Sequence, residues 1–198
     1  MKLLFTKRSP YARKVQVVAL EKGIALDLVE ENLKQKSGLL VQSNPLGKIP
    51  TLVLDNGEAV CDSPVICEYL DGLKAAPALF PKEQKTRIIA INLAGLADGL
   101  MDTTVAAFME KQTHPEHFSE DFIKAKEEAV VRCLKYLEGR LSDLKDLNIA
   151  SIAIASAIGY IQFRLPHLSP EKHAPKLNKW FVEFSKRPSM QKTVPVAS

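Results

Sequence analysis

Asn44-Pro45-Leu46-Gly47-Lys48-Ile49-Pro50, with Asp62-Ser63 following at the mouth of an apolar helical pattern, decides how this chain is read. Pro50 has no N–H, fixes its own φ, and belongs to the one residue type that commonly takes a cis peptide bond in a tight turn. A cis bond there would turn the N–H and C=O of Ile49 away from the strand expected at Thr51-Leu52-Val53-Leu54. An extended ligand could then pair with them as an added strand. Two prolines and a glycine alone make only a loop; the Asp-Ser pair downstream turns the reading toward a binding edge.

The segments around this turn order themselves as β-α-β-α-β-β-α. Leu3-Leu4-Phe5-Thr6 is a short apolar strand, and Ser9-Pro10 opens a helix, serine as N-cap and proline as first helical residue. Ala12, Val15, Val18 and Ala19 recur at helical spacing, and Gly23 closes the helix. Leu26-Asp27-Leu28-Val29 alternates as a second strand, which the intervening helix makes parallel to the first. Leu39 to Ser43 is at most a short helix. Thr51–Leu54 and Glu58–Val60, joined by Asp55-Asn56-Gly57, form a hairpin, and Ser63–Leu73 is an amphipathic helix. This is a compact thioredoxin-like α/β unit.

Composition changes at Ala75-Ala76-Pro77-Ala78-Leu79-Phe80-Pro81, a proline-punctuated linker. Helical patterns follow at about 84–112, about 119–144, from Ser151, and about 173–186. The Ser151 helix is apolar on nearly every side and should be the buried centre of a bundle. The expected organisation is a thioredoxin-like domain over 1–75, a linker over 76–83, and an all-helical domain over 84–198: α/β plus all-α.

Bulk composition narrows the function. Of 198 residues, 46% are hydrophobic and 25% charged, as in soluble globular proteins. The net charge of +4 is spread without a basic block, which argues against nucleic-acid binding. No signal peptide is expected from Met1-Lys2-Leu3-Leu4-Phe5, since Lys7-Arg8 follows at once, and Ile152–Ile161 is too short to span a bilayer. Cys61, Cys67 and Cys133 are unpaired by spacing, which fits a reducing cytoplasm. His114-Pro115-Glu116-His117 lacks partners for a metal and reads as a solvated turn.

Taken together, these motifs resemble the cytosolic glutathione transferases along the whole chain. The resemblance rests on Ser9-Pro10-Tyr11-Ala12-Arg13-Lys14-Val15, on Asn44–Pro50, on Asp62-Ser63 leading into Ile66-Cys67-Glu68-Tyr69-Leu70, and on Arg187-Pro188-Ser189. Leu96–Asp102 and Ile152–Ala155 look closest to bacterial YibF-type members. Two positions depart from the family pattern: Asp62 stands where Glu or Gln is usual, and Ile154 stands where the Ser/Thr-x-x-Asp capping box of the buried helix would end, so that Ser151 lacks its reciprocal partner.

The resemblance implies an enzyme that binds glutathione as a co-substrate, with no permanently bound cofactor, and transfers it to a hydrophobic electrophile or reduces a peroxide with it. A non-catalytic binding module of the same fold is the alternative. Ile49 main chain would pair with the cysteinyl unit beside Pro50. The Ser63 hydroxyl and N–H would take the γ-glutamyl carboxylate at a helix N-terminus, and Asp62 its ammonium. A plain helix cap is the alternative for Asp62-Ser63, since both residues are favoured there; the Pro50 turn upstream favours binding, and the two roles can coexist. Ser9 is the candidate for donating to the sulfur, with Thr6, Tyr11 and the Tyr11 main chain as competitors. A free thiol has a pKa of about 8.5, and lowering it by about two units, roughly 2.7 kcal/mol, makes most of it reactive at neutral pH. Serine at this position leaves no thiol for mixed-disulfide chemistry.

Arg13 is expected on the solvated side or beside a carboxylate, Cys61 in the core. Lys34, Lys36 and Lys48 are equal candidates for the glycyl carboxylate. Phe108 and Met109 are candidates for an acceptor pocket between the domains. The resemblance also implies a homodimer, with Asp98 reaching a partner's glutathione, and a cytoplasmic location without membrane or nucleic-acid partners.

Overall fold

Lys2–Phe5 forms β1, and its apolar Leu3, Leu4 and Phe5 are buried. The helix α1 (Pro10–Glu21) begins at Ser9, which caps it by accepting the Ala12 N–H, with proline in the first turn. Gly23 beyond its end has φ +59°, the left-handed conformation that glycine adopts without a Cβ clash. The chain continues through β2 (Asp27–Glu30), the short α2 (Gly38–Ser43), β3 (Thr51–Val53), β4 (Ala59–Cys61) and α3 (Ser63–Gly72).

The sheet order is β2-β1-β3-β4. β1 runs parallel to β2, with Leu3 opposite Leu28, and antiparallel to β3, with Leu4 opposite Thr51. β3 is antiparallel to β4, with Thr51 opposite Cys61. The expected α/β unit is therefore present, with each strand within a residue or two of its expected place.

In this computed structural model, which describes residues 1–196, the chain divides into two units. The first is Met1–Lys82 joined by the segment from Pro188 onward; the second is Glu83–Arg187. The sequence expectation ran the helical domain through to residue 198, whereas the segment from Pro188 groups with the first unit. Arg13 is the reason. It is buried, not solvated as expected, and donates from Nη2 to the Met190 carbonyl at 3.2 Å and from Nε to Thr193 Oγ1 at 3.4 Å. Burial pushes its pKa down to about 10.

The linker is pinned to the first unit by Lys22. Its fully buried ammonium reaches Asp71 Oδ1 at 2.8 Å and the carbonyls of Lys74 and Pro77. Asp71 in turn accepts the N–H groups of Leu79 and Phe80.

The second unit contains α4 (Gln84–Thr113), α5 (Glu120–Glu138), α6 (Ile149–Arg164), α7 (Pro170–His173) and α8 (Pro175–Phe184). The pattern expected to run from 119 to 144 breaks at Gly139 into a 3-10 turn over Leu141–Leu144. The last expected helix, 173–186, is divided between the end of α7 and α8; α9 (Pro188–Gln191) follows beyond it, and each of the three begins at a proline, whose missing N–H suits a first helical turn. By length and composition α4 could cross a bilayer, yet Leu93, Ala97, Leu100, Met101 and Thr104 are buried, as in a bundle core.

α6 corrects a further expectation. It starts at Ile149, not Ser151, and Asn148 is its N-cap. Asn148 Oδ1 accepts the Ser151 N–H at 3.1 Å, and Ser151 Oγ accepts the Asn148 N–H at 3.0 Å. The capping box is thus complete, shifted one turn earlier, with serine as its closing member. All residues from Ile149 through Ile158 are buried, consistent with a central helix.

Candidate functional site

Strand register assembles the site edge. Because Leu4 and Cys61 both face Thr51, the end of β1, the start of β3 and the end of β4 lie at one margin of the sheet. Three segments emerge there: Thr6–Ser9 toward α1, Ile49-Pro50 before β3, and Asp62-Ser63 after β4.

The Ile49-Pro50 peptide bond is cis. Among the described residues no hydrogen bond engages the N–H or C=O of Ile49. The loop before it is held by Asn44, whose role the sequence reading did not assign. Asn44 is buried; its amide donates to the Lys48 carbonyl at 3.0 Å and to Thr51 Oγ1 at 3.1 Å, and its Oδ1 accepts the Leu46 N–H at 3.0 Å. Thr51 Oγ1 also donates to the Lys48 carbonyl at 2.9 Å. Asparagine ahead of Pro-x-Gly was the available signal, since its side chain mimics a backbone turn. Gly47 sits at φ +56°, and a Cβ there would stand 2.9 Å from Lys36 Nζ.

Asp62 is exposed and has φ +69°, a conformation costly for a residue with a Cβ and concentrated at functional sites. Its Oδ1 accepts the Ser63 N–H at 2.7 Å. The N–H expected to bind a ligand is therefore already engaged, which leaves the hydroxyl. Ser63 Oγ is buried and has no hydrogen-bond partner. A buried unpaired hydroxyl is rare in a folded chain and costs about 1–3 kcal/mol.

Ser9 is half-buried. Its Oγ accepts the Ala12 N–H at 3.2 Å, and its own N–H donates to the Thr6 carbonyl at 3.1 Å. Accepting as a cap uses a lone pair and leaves the O–H proton to donate elsewhere. Thr6 is buried, and Tyr11 is half-buried in the first helical turn. Cys61 is half-buried, its thiol 3.5 Å from the Ser43 carbonyl. Lys34, Lys36 and Lys48 are exposed; Lys48 lies within the turn, and Lys36 lies over its Gly47. His114–His117 forms a turn between α4 and α5. In the second unit Phe108 is half-buried and Met109 exposed on α4.

Residues 8–73 match the family profile of the glutathione S-transferase N-terminal domain, and residues 96–188 that of the C-terminal domain. The GST-like protein YibF of Escherichia coli (strain K12) is 39% identical over 168 residues, covering 83% of each chain. The chain belongs to the glutathione S-transferase family. Among solved structures of this family, a glutathione transferase family member from Pseudomonas fluorescens Pf-5 with bound glutathione is 37% identical, with TM-score 0.92 over 99% of both chains. A glutathione S-transferase from Methylobacillus flagellatus KT with glutathione bound is 36% identical, with TM-score 0.93 over 98% of this chain and 99% of that one. The thioredoxin-like domain with a helical domain after it is thus the fold of a glutathione transferase.

Proposed function

We propose that this chain is a glutathione S-transferase that binds glutathione as its thiolate and transfers it to a hydrophobic electrophile. The observation that carries the reading is the pairing of unengaged Ile49 main chain beside cis-Pro50 with the orphaned hydroxyl of Ser63. Both are main-chain or hydroxyl groups left short of partners at one sheet margin, as a peptide-binding edge requires. Two glutathione-bound relatives of the same fold support it.

In this proposal the cysteinyl unit of glutathione pairs with Ile49 as an added strand. Ser63 Oγ donates to the γ-glutamyl carboxylate, and exposed Asp62 takes the ammonium. Ser9 stays the N-cap of α1 while its proton points to the sulfur, and the start of the helix adds its positive end. The thiolate attacks the electrophilic carbon and the leaving group departs with its electron pair; with a peroxide, the sulfur attacks one oxygen, the O–O bond breaks, alkoxide leaves with the bonding pair and is protonated from solvent, and glutathione becomes its sulfenic acid. Lys48, within the turn, and Lys36, over Gly47, are the two candidates for the glycyl carboxylate.

Partners and setting follow the same family reading. A homodimer is proposed, and the exposed Ile88 and Ile91 of α4 and Val65 and Leu73 of α3 supply apolar surface for it. The location proposed is the cytoplasm. Retention on a glutathione column and turnover of an aromatic halide together support the enzyme. Retention without turnover favours the second reading, a binding module of the same fold, and absence of retention refutes both.

A further inference from the structure

Glu31 is a buried carboxylate with no ion-pair partner among the described residues. It follows β2, whose last residue Glu30 lies opposite Phe5, and its own N–H donates to the Phe5 carbonyl at 2.8 Å. That puts it at the sheet margin from which Thr6–Ser9 also emerges. A carboxylate out of water needs donors, and Ser37 supplies two. Its hydroxyl donates to Oε1 at 2.6 Å and its N–H to Oε2 at 3.2 Å, while the same hydroxyl accepts the Leu40 N–H and caps α2. The Ser37 N–H belongs to the peptide unit that begins at the Lys36 carbonyl, so Glu31 fixes the main chain of Lys36. On the other side Asn32 holds a turn: its carbonyl accepts the Gln35 N–H and its Oδ1 the Lys34 N–H, each at 3.0 Å. Lys36 then lies along the buried Gly47, where a Cβ would stand 2.9 Å from Nζ and 3.0 Å from Cδ. Among the described residues no hydrogen bond or ion pair takes up the Lys36 ammonium.

We infer that Glu31 is a positioning residue: through the Lys36-Ser37 peptide it holds the Lys36 ammonium over the Asn44–Pro50 turn, and this ammonium makes the protein select a thiol peptide with a free carboxylate at its glycyl end. The inference rests on the glutathione reading above and chooses between the two lysines of the turn. An exposed ion pair contributes little when a long side chain must be ordered to form it, because lost rotamer freedom offsets the Coulomb gain. A lysine whose main chain is pinned and whose stem already lies on a glycine has given up much of that freedom before the ligand arrives. The carboxylate thus acts on the ligand without touching it.

Glutathione and its glycyl ethyl ester differ only at that carboxylate. Calorimetric titration of the full chain with each gives a preference, the Kd of the ester over the Kd of glutathione. It is expected to be about tenfold in wild type and close to one in Lys36→Met. In Glu31→Gln, whose amide cannot accept both Ser37 donors, it falls to about threefold while the affinity for the ester stays within about twofold. Equal weakening of both ligands in Glu31→Gln, with the preference still about tenfold, marks a merely structural carboxylate and overturns the inference. Lys36→Met changes only an exposed residue and tests the anchor even where Glu31→Gln does not fold. A preference unchanged in Lys36→Met, or lost in Lys48→Met instead, overturns the inference as well. Binding of neither ligand to wild type refutes the glutathione reading and this inference with it; equal binding of both refutes the inference alone.

Discussion

Replacing Ser63 with alanine should make the free protein more stable and its glutathione complex weaker. Ser63 Oγ is buried and unpartnered, at the first residue of α3, while the cap belongs to Asp62. Deleting the hydroxyl removes the desolvation cost of an unsatisfied group, about 1–3 kcal/mol, and alanine fits a helix at least as well. Allowing for the small space left behind, a net gain of about 1 kcal/mol corresponds to a rise in Tm of roughly 2–4 °C for a chain of this size. The same hydroxyl is assigned to a carboxylate, and a hydrogen bond to a charged group contributes about 1.5–3 kcal/mol, so glutathione affinity should fall about 10- to 150-fold. Thermal unfolding of the ligand-free variant and calorimetric titration with glutathione read the two effects separately. A lower Tm with unchanged affinity would refute the reasoning, because it would show the hydroxyl to be a structural partner and not a reserved donor.

Ser9→Ala should raise the pKa of bound glutathione by about two units, followed through the thiolate absorbance, while affinity stays within about twofold; losing the Ala12 cap bond also lowers Tm by the equivalent of about 1 kcal/mol. Unchanged thiolate titration would move the donor role to Thr6, Tyr11 or a main-chain N–H. Asn148→Ala opens the capping box of the central helix and should cost about 1–2 kcal/mol in denaturant unfolding, with glutathione affinity unaltered. Cys133, whose thiol burial pushes up to about 11, should alkylate more than about a hundredfold slower at pH 8 than an unhindered cysteine. Its folded pKa is raised, so its contribution to stability is full below the unfolded value and is lost as pH rises toward 11, which alkaline unfolding of Cys133→Ala against wild type measures.

Most of the first unit could be read from residues because its signals are local. Ser9-Pro10, Gly23 and Asp55-Asn56-Gly57 each carry a conformational preference that neighbours reinforce, and the structure places helix or turn at each. Three features were not legible, each for a physical reason. Arg13 looked like a surface cation because its acceptors, the Met190 carbonyl and Thr193, lie far along the chain. The family pattern runs the capping box of α6 forward from Ser151, whereas the hydrogen bonds run back to Asn148, an equally good cap whose partner residue is the serine itself. At the site, the hydroxyl of Ser63 and the turn at Pro50 follow from residue type and spacing, but the division of labour in Asp62-Ser63 does not. Only the positive φ of Asp62 swings its carboxylate onto the next N–H.

The return of the segment from Pro188 to α1 sets an order of events on the ribosome. Arg13 emerges early, and the carbonyl and hydroxyl that satisfy it emerge only after every helix of the second unit has been made. Until then the Arg13 guanidinium has water, in place of that carbonyl and hydroxyl, for its donors, so the first unit closes around α1 only once the segment from Pro188 has been made.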